Sequence, residues 1–364
     1  MIKFVMVIIL AISLVACSSD GNVSPTATTA PINNTTSTTT NVPYDPSTPY
    51  PVIIVSNIAQ LAEVATVTIA DAGSEAPTSL EFAPNGIWLA AGHSTGASLF
   101  DLADLYATPR LLAHSAKVND VAWDSFGFLL ATASDDNTIK VWDTNTGEAT
   151  LTFTNPKDAK FFHVAISRDD SLIIAAEEYS NIYIVSATSG DVVRTITLSS
   201  NRRIGDIAIT ADGTKLIVST GDNVLVLDIA TGEELSQTTV LAGVSSLELA
   251  SDDKRLFISN SFEGGLVTLD ITTGEQIASA TFEPTGILPK VVLSADAQLL
   301  ASFWNFSQAR LVFYDSTTLQ PVGVQITLPS GTIEGIAYGS DGSMIATVGV
   351  RDGLAILSIW RVNS

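Results

Sequence analysis

The sequence predicts an all-β protein, a seven-bladed β-propeller of four-stranded antiparallel blades over residues 52–364. Three observations carry this. A unit of short β-rich runs recurs seven times at about 41–45 residues, the period of a propeller blade. Each unit keeps a turn rich in Gly or Asp at the same place. An unassigned β-rich run stands ahead of the first unit, where a ring of blades needs one more strand.

The unit is clearest between His114 and Thr150. Val118, Val121 and Trp123 open a first strand, Phe126-Gly127 turn it, and residues 129–133 form a second. Asp135-Asp136-Asn137 make the next turn, residues 139–142 a third strand, and 149–153 a fourth. β-Branched and aromatic side chains suit a pleated, half-buried surface, whereas Gly, Asp and Asn accept the backbone angles of turns. The first turn returns at Asn85-Gly86, Asp170, Asp212-Gly213, Asp253, Asp296 and Asp341-Gly342. Third strands follow in step as ASLFDL, IKVWD, IYIVS, VLVLD, LVTLD, LVFYD and ILSIW. The seventh copy has no fourth strand before Ser364, so the run 63–69 (EVATVTI) is expected to complete it and close the ring.

The second copy resembles the WD repeat. Its His114, Ser134 (or Thr132), Asp136 and Trp142 match that family's hydrogen-bonding tetrad, which implies a staple from the loop before the first strand to the second and third strands. Such a role is structural, because a buried indole N–H and imidazole both need partners. It is preferred to the reading of the same His, Ser and Asp as a hydrolase triad. Other copies depart from the pattern: Leu227, Leu269 and Tyr314 replace the Trp, and copies four and five look closer to YVTN-type propellers. The resemblance implies a fold and a customary ligand-holding top face, but no single activity.

Residues 1–16 read as a signal peptide: Lys3, then about thirteen residues from Phe4 to Ala16 that are apolar except for Ser13, fewer than the ~20 of a spanning helix. The run ends in Leu14-Val15-Ala16-Cys17, which resembles the bacterial lipobox. That resemblance implies lipidation of Cys17 and an extracytoplasmic protein held on a bacterial cell or outer membrane by more than one acyl chain. Residues 17–51 are rich in Ser, Thr, Asn and Pro and are expected to form a disordered tether with a reach of about 30 Å.

Charge narrows the function. The chain has 38 acidic and 17 basic residues, a net charge of −21, which disfavours nucleic acid as a partner. One cysteine and three histidines leave little for a disulfide or a zinc-type site, and no metal or cofactor is expected. Acids crowd the turns of one face, the lower, where local hydrogen bonding by turn Asp accounts for most of them. Lys117, Lys160, Arg202, Arg203 and Lys290 fall just before or at the start of first strands, near the top mouth of the central channel. Phe161-Phe162 and Trp304-Asn305-Phe306 lie on the same side. The expected function is a monomeric, non-enzymatic binding module that presents this top face to a protein, peptide or glycan. The alternative is a YVTN-like lactonase or another propeller enzyme of the cell envelope. The tether is expected to join the lower face, with the top pointing away from the membrane.

Overall fold

The computed structural model describes residues 51–362, apart from 73–74, 200–201, 241–242, 261–264, 282–289, 306–307, 324 and 329. The leader, Cys17 and residues 17–50 of the tether lie outside the described residues. The rest forms seven four-stranded antiparallel sheets, as the repeat predicts. Blade 2 consists of Val118–Trp123, Leu129–Ser134, Thr138–Asp143 and Ala149–Thr154, within a residue of the expected bounds.

The first turn of every blade contains one residue with positive φ: Gly86, Gly127, Asp170, Gly213, Asp253, Ala297 and Gly342. An L side chain crowds the backbone in this region, which is why glycine takes four of the seven places. The Asp one position before supports several of these turns: Asp169 Oδ1 accepts from Ser171 N (3.1 Å), and Asp341 Oδ1 from Ser343 N (2.9 Å). The turns between third and fourth strands work alike, with Asp143, Asp228, Asp270 and Asp315 each accepting a backbone N–H three residues on. Much of the lower-face acidity is thus turn chemistry.

Blades pack face to face. Between blades 1 and 2, Leu99 and Leu112 meet Val121, Trp123 and Trp142; between blades 3 and 4, Ile174 and Ile184 meet Ile207 and Leu216. The position held by Trp142 carries Phe100, Val185, Leu227, Leu269, Tyr314 and Trp360 in the other blades, all buried. The wedge between blades requires apolar volume there, and several side-chain shapes supply it.

The ring closes through both ends of the described chain. Leu61–Thr68 pairs antiparallel with Leu354–Val362, from Leu61 opposite Val362 to Thr68 opposite Ile356. This strand is the fourth of blade 7, joining Gly335–Tyr338, Met344–Arg351 and Leu354–Val362. Ile53 and Ile58, both fully buried, extend the closure into the core between blades 6 and 7. Within the seam, Arg351 Nη2 donates to Glu63 Oε1 at 2.9 Å, beside a bulge between Glu63 and Ala65.

The Glu63 side chain is 6% exposed and that of Arg351 19%. Glu63→Ala therefore leaves a largely enclosed guanidinium without its carboxylate and is expected to cost about 2 kcal/mol. A matching fall in the urea midpoint, with an unchanged m-value, is the check.

Candidate functional site

Blade 2 contains the hydrogen-bonded relay that its residues suggest, through the second of the two hydroxyls considered. Trp142 Nε1 donates to Thr132 Oγ1 at 2.9 Å, Thr132 Oγ1 lies 2.7 Å from His114 Nε2, and His114 Nδ1 lies 2.9 Å from Asp136 Oδ2. Indole N–H only donates; with the threonine hydroxyl donating in turn to Nε2, Nδ1–H is left to donate to Asp136. Burial lowers the His114 pKa and favours this neutral form, against the pull of Asp136. Burial alone would raise Asp136, but hydrogen bonds from Thr138, His114 and Ser115 hold its carboxyl below the usual range. Ser134 lies two residues along the same strand and does another job. Its Oγ donates to Lys117 O (3.0 Å) and accepts from Asp136 N (3.1 Å), pinning the two top loops together. The relay is fully engaged in stapling the blade.

Two other blades carry polar networks of their own. In blade 7, Trp360 Nε1 donates to Thr347 Oγ1 at 2.9 Å, in the registers of Trp142 and Thr132. In blade 3, Glu177 takes over as the hub. It accepts from Asn155 Nδ2 (2.9 Å), Asn181 Nδ2 (2.6 Å) and the Tyr183 hydroxyl (3.0 Å). Blade 7 thus keeps the Trp–Thr pair of blade 2, whereas the blade 3 network uses other residue types and leaves Val185 in the position of Trp142.

The top basic residues are distributed rather than convergent. Lys160 Nζ lies 2.6 Å from Asp135 Oδ2, Arg203 Nε 3.5 Å from Glu178 Oε1, and Arg202 Nη1 3.3 Å from Asp222 Oδ2. The first two pairs span neighbouring blades. Carboxylates on loops between second and third strands thus offset the charge of these cations. Lys117 is half-buried, and its carbonyl accepts from Ser134 Oγ and Asp135 N. Phe161 is core, whereas Phe162 lies 5.3 Å beneath the Arg203 guanidinium. Trp304 is 9% exposed, Asn305 binds the backbone of Ile333, and Phe306 is outside the described residues.

Lys290 belongs to the central channel. Val291 pairs with Ser302 as Val121 pairs with Thr132, so Lys290 occupies the register of Asp120. The same register holds Ser79, His163, Asp206, Ser246 and Gly335 in other blades. Two residues further, Glu81 and Glu248 line the same cavity of about 440 Å³. Several of these side chains cover the inner edge of the next blade. Ser79 Oγ accepts from Val121 N (3.1 Å), Asp120 Oδ2 from Val164 N (3.1 Å), and Asp206 Oδ2 from Leu247 N (2.8 Å). His163 Nδ1 stands 3.8 Å from Asp120 Oδ2 and 3.9 Å from Asp206 Oδ1. Among the described residues, no three His, Cys, Asp or Glu side chains have metal-holding geometry.

Sequence reading missed this ring. The signal lay in the first strands, where Asp120 and Asp206 share one repeat position and Glu81 and Glu248 another. Enclosure pushes Glu81 up to about 8, with Asp120 and Glu248 adding to the rise and Lys290 opposing it. Enclosure likewise pushes Glu248 to about 7, against Lys290.

Two predictions follow from these geometries. Thr132→Val leaves the Trp142 N–H and His114 Nε2 unpaired and should cost about 2–4 kcal/mol, against about 1 for Ser134→Ala, both read from denaturant midpoints. The channel carboxylates bind protons more tightly folded than unfolded, so they weaken the fold as pH rises from about 4.5 toward 8. Glu81→Gln should flatten that decline by about 1 kcal/mol at pH 8, because channel water screens part of the repulsion. Thermal midpoints across pH 5–8 measure it.

Comparison with known proteins agrees with this architecture. The family model "WD domain, G-beta repeat" matches residues 107–143, the span of the blade 2 relay. The chain is 32% identical over 114 residues to nucleoporin Nup37 of Drosophila melanogaster, covering 30% of this chain and 35% of that one. It is 32% identical over 121 residues to the seven-bladed beta-propeller protein Rv1057 of Mycobacterium tuberculosis, covering 31% and 30%. The matched region thus spans about a third of each of these relatives. The β-propeller domain of Cps50 (Swd1) from Myceliophteria thermophila superposes with a TM-score of 0.71 at 17% identity, over 83% of this chain and 100% of that domain. The protein is a seven-bladed β-propeller carrying a WD40 repeat in its second blade.

Proposed function

We propose that the protein is an extracytoplasmic scaffold, anchored by lipid on Cys17, that holds a protein or peptide partner on the top face of blades 2–4. The observation that carries the choice of face is an exposed Arg–Tyr–Phe patch. Tyr179 is 46% exposed, pairs through its backbone with Arg203, and sits next to Glu178, the carboxylate that Arg203 reaches. Arg203 also covers Phe162, and Lys160–Asp135 lies one blade away. Arg and Tyr are enriched among the residues that carry binding energy at interfaces, where they combine large contact area with polar tips. With the charges already matched, such a surface favours a partner of mixed polarity over a simple anion. The matched proteins are consistent with a scaffold, and the lipobox supports the anchor.

The test is quantitative capture from native membranes after crosslinking, comparing the wild-type chain with Tyr179→Ala combined with Arg203→Ala. The double variant should lose about 2 kcal/mol of binding, roughly thirtyfold. Equal recovery of every crosslinked partner by both chains would move the interface elsewhere.

A further inference from the structure

Large apolar side chains are exposed unevenly on the two faces. On the top, Tyr179 and Leu354 stand out among the described residues. The lower side of blades 7, 1 and 2 presents Val52, Ile54, Ile87, Tyr106, Phe126 and Phe128, with exposures from 42% at Ile54 to 66% at Tyr106 and Phe126. Hydrogen bonds join the turns that carry them into one arc. Ile53 N donates to Gly342 O (2.9 Å) in the first turn of blade 7. Ser340 Oγ reaches Pro84 O (3.4 Å) in blade 1, and Asn85 Nδ2 reaches Gly127 O (2.7 Å) in blade 2. Leu102 N donates to Ile87 O (2.9 Å), which attaches the loop bearing Tyr106.

We infer that this arc rests in the interfacial zone of a zwitterionic lipid bilayer, an inference that builds on the lipid-anchor reading above. Pro51, the first described residue, lies beside this arc, because Ile53 is bound to the blade 7 turn. A lipid on Cys17 would hold the arc near a bilayer at millimolar effective concentration through a tether of about 30 Å reach. Tyr and Phe suit that zone, with an apolar body and, for Tyr, a polar tip.

Charge selects the headgroup. The cations of these blades on that side are engaged or buried: half-buried Arg110 donates Nη1 to Thr144 O (2.6 Å), and Arg361 is 5% exposed. Nearby Asp101 and Asp341 are held on their own turns, by Ala103 N and by Ser343. With little basic charge offered outward there, anionic lipid gains little attraction and a neutral headgroup is preferred.

The test uses the full chain bearing Phe126→Cys or, on the top face, Leu354→Cys. Each is labelled with a fluorophore and bound to phosphatidylcholine vesicles containing brominated acyl chains. Position 126 should be quenched at least about threefold more than position 354, because a blade's height separates them. Equal or absent quenching at 126 on vesicle-bound chain overturns the docking while leaving the anchor standing. Dye content reads the anchor separately: one dye per chain when Cys17 carries lipid, two when its thiol is free. In the second case the anchor reading fails, and the measurement is repeated with Cys17→Ser at high lipid. Quenching at 126 then still supports the docking, and its absence overturns it. Protection of position 126 without vesicles, together with a doubled mass in solution, assigns the arc to a second copy and also overturns it.

Discussion

Pairing between Leu61–Thr68 and Leu354–Val362 is the constraint on which the other contacts depend. Six blades are continuous in sequence, and each buries its faces only against neighbours on both sides. Without the closing pair, the outer edge of Leu354–Val362 would be an open template and blade 7 would lack its outer strand. Buried Ile53 and Ile58, and the enclosed Glu63–Arg351 pair, concentrate apolar and ionic contacts at the one seam that no loop spans. Blades whose own internal polar networks have drifted, such as blades 4 and 5, are held between neighbours by this closure.

A ring also has an inner edge, and the chain treats it differently. First strands face the channel with backbone groups that no further strand can cover. Ser79, Asp120 and Asp206 cover them from the blade before. The carboxylates are therefore first a structural answer to unpaired N–H groups. Their crowding is a by-product, moderated by Lys290 and visible in the raised Glu81 and Glu248. On the top rim the pairs Lys160–Asp135 and Arg203–Glu178 again join neighbouring blades.

Blade number, strand positions and the closing strand were legible in the sequence because each rests on spacing, which one chain displays by repeating itself. Turn Asp and Gly were legible for the same reason; the exception, Ala297, carries positive φ where the sequence pointed to Asp296 beside it. What could not be read was register across strands. Thr132 and Ser134 both point to the same face of one strand, and only the pairing with Lys140 and Val118 separates the relay hydroxyl from the loop-pinning one. The ion pairs of the basic rim were hidden for a related reason. Lys160 and Arg203 are visible as cations, but their partners Asp135 and Glu178 are distant in sequence and look like ordinary turn acids. Lys290 was placed on the rim because it precedes a strand, when one step of register moves it into the channel.

A ring sealed by its two ends also sets an order of events in time. Leu61–Thr68 is synthesised first among the strands, yet its partner ends at Val362, about 300 residues later. At roughly 5–20 residues per second, that first strand waits about 15–60 s for something to pair with. During this interval the blades can form one by one, but the ring cannot close. The last lock is thus withheld until all seven blades have been made.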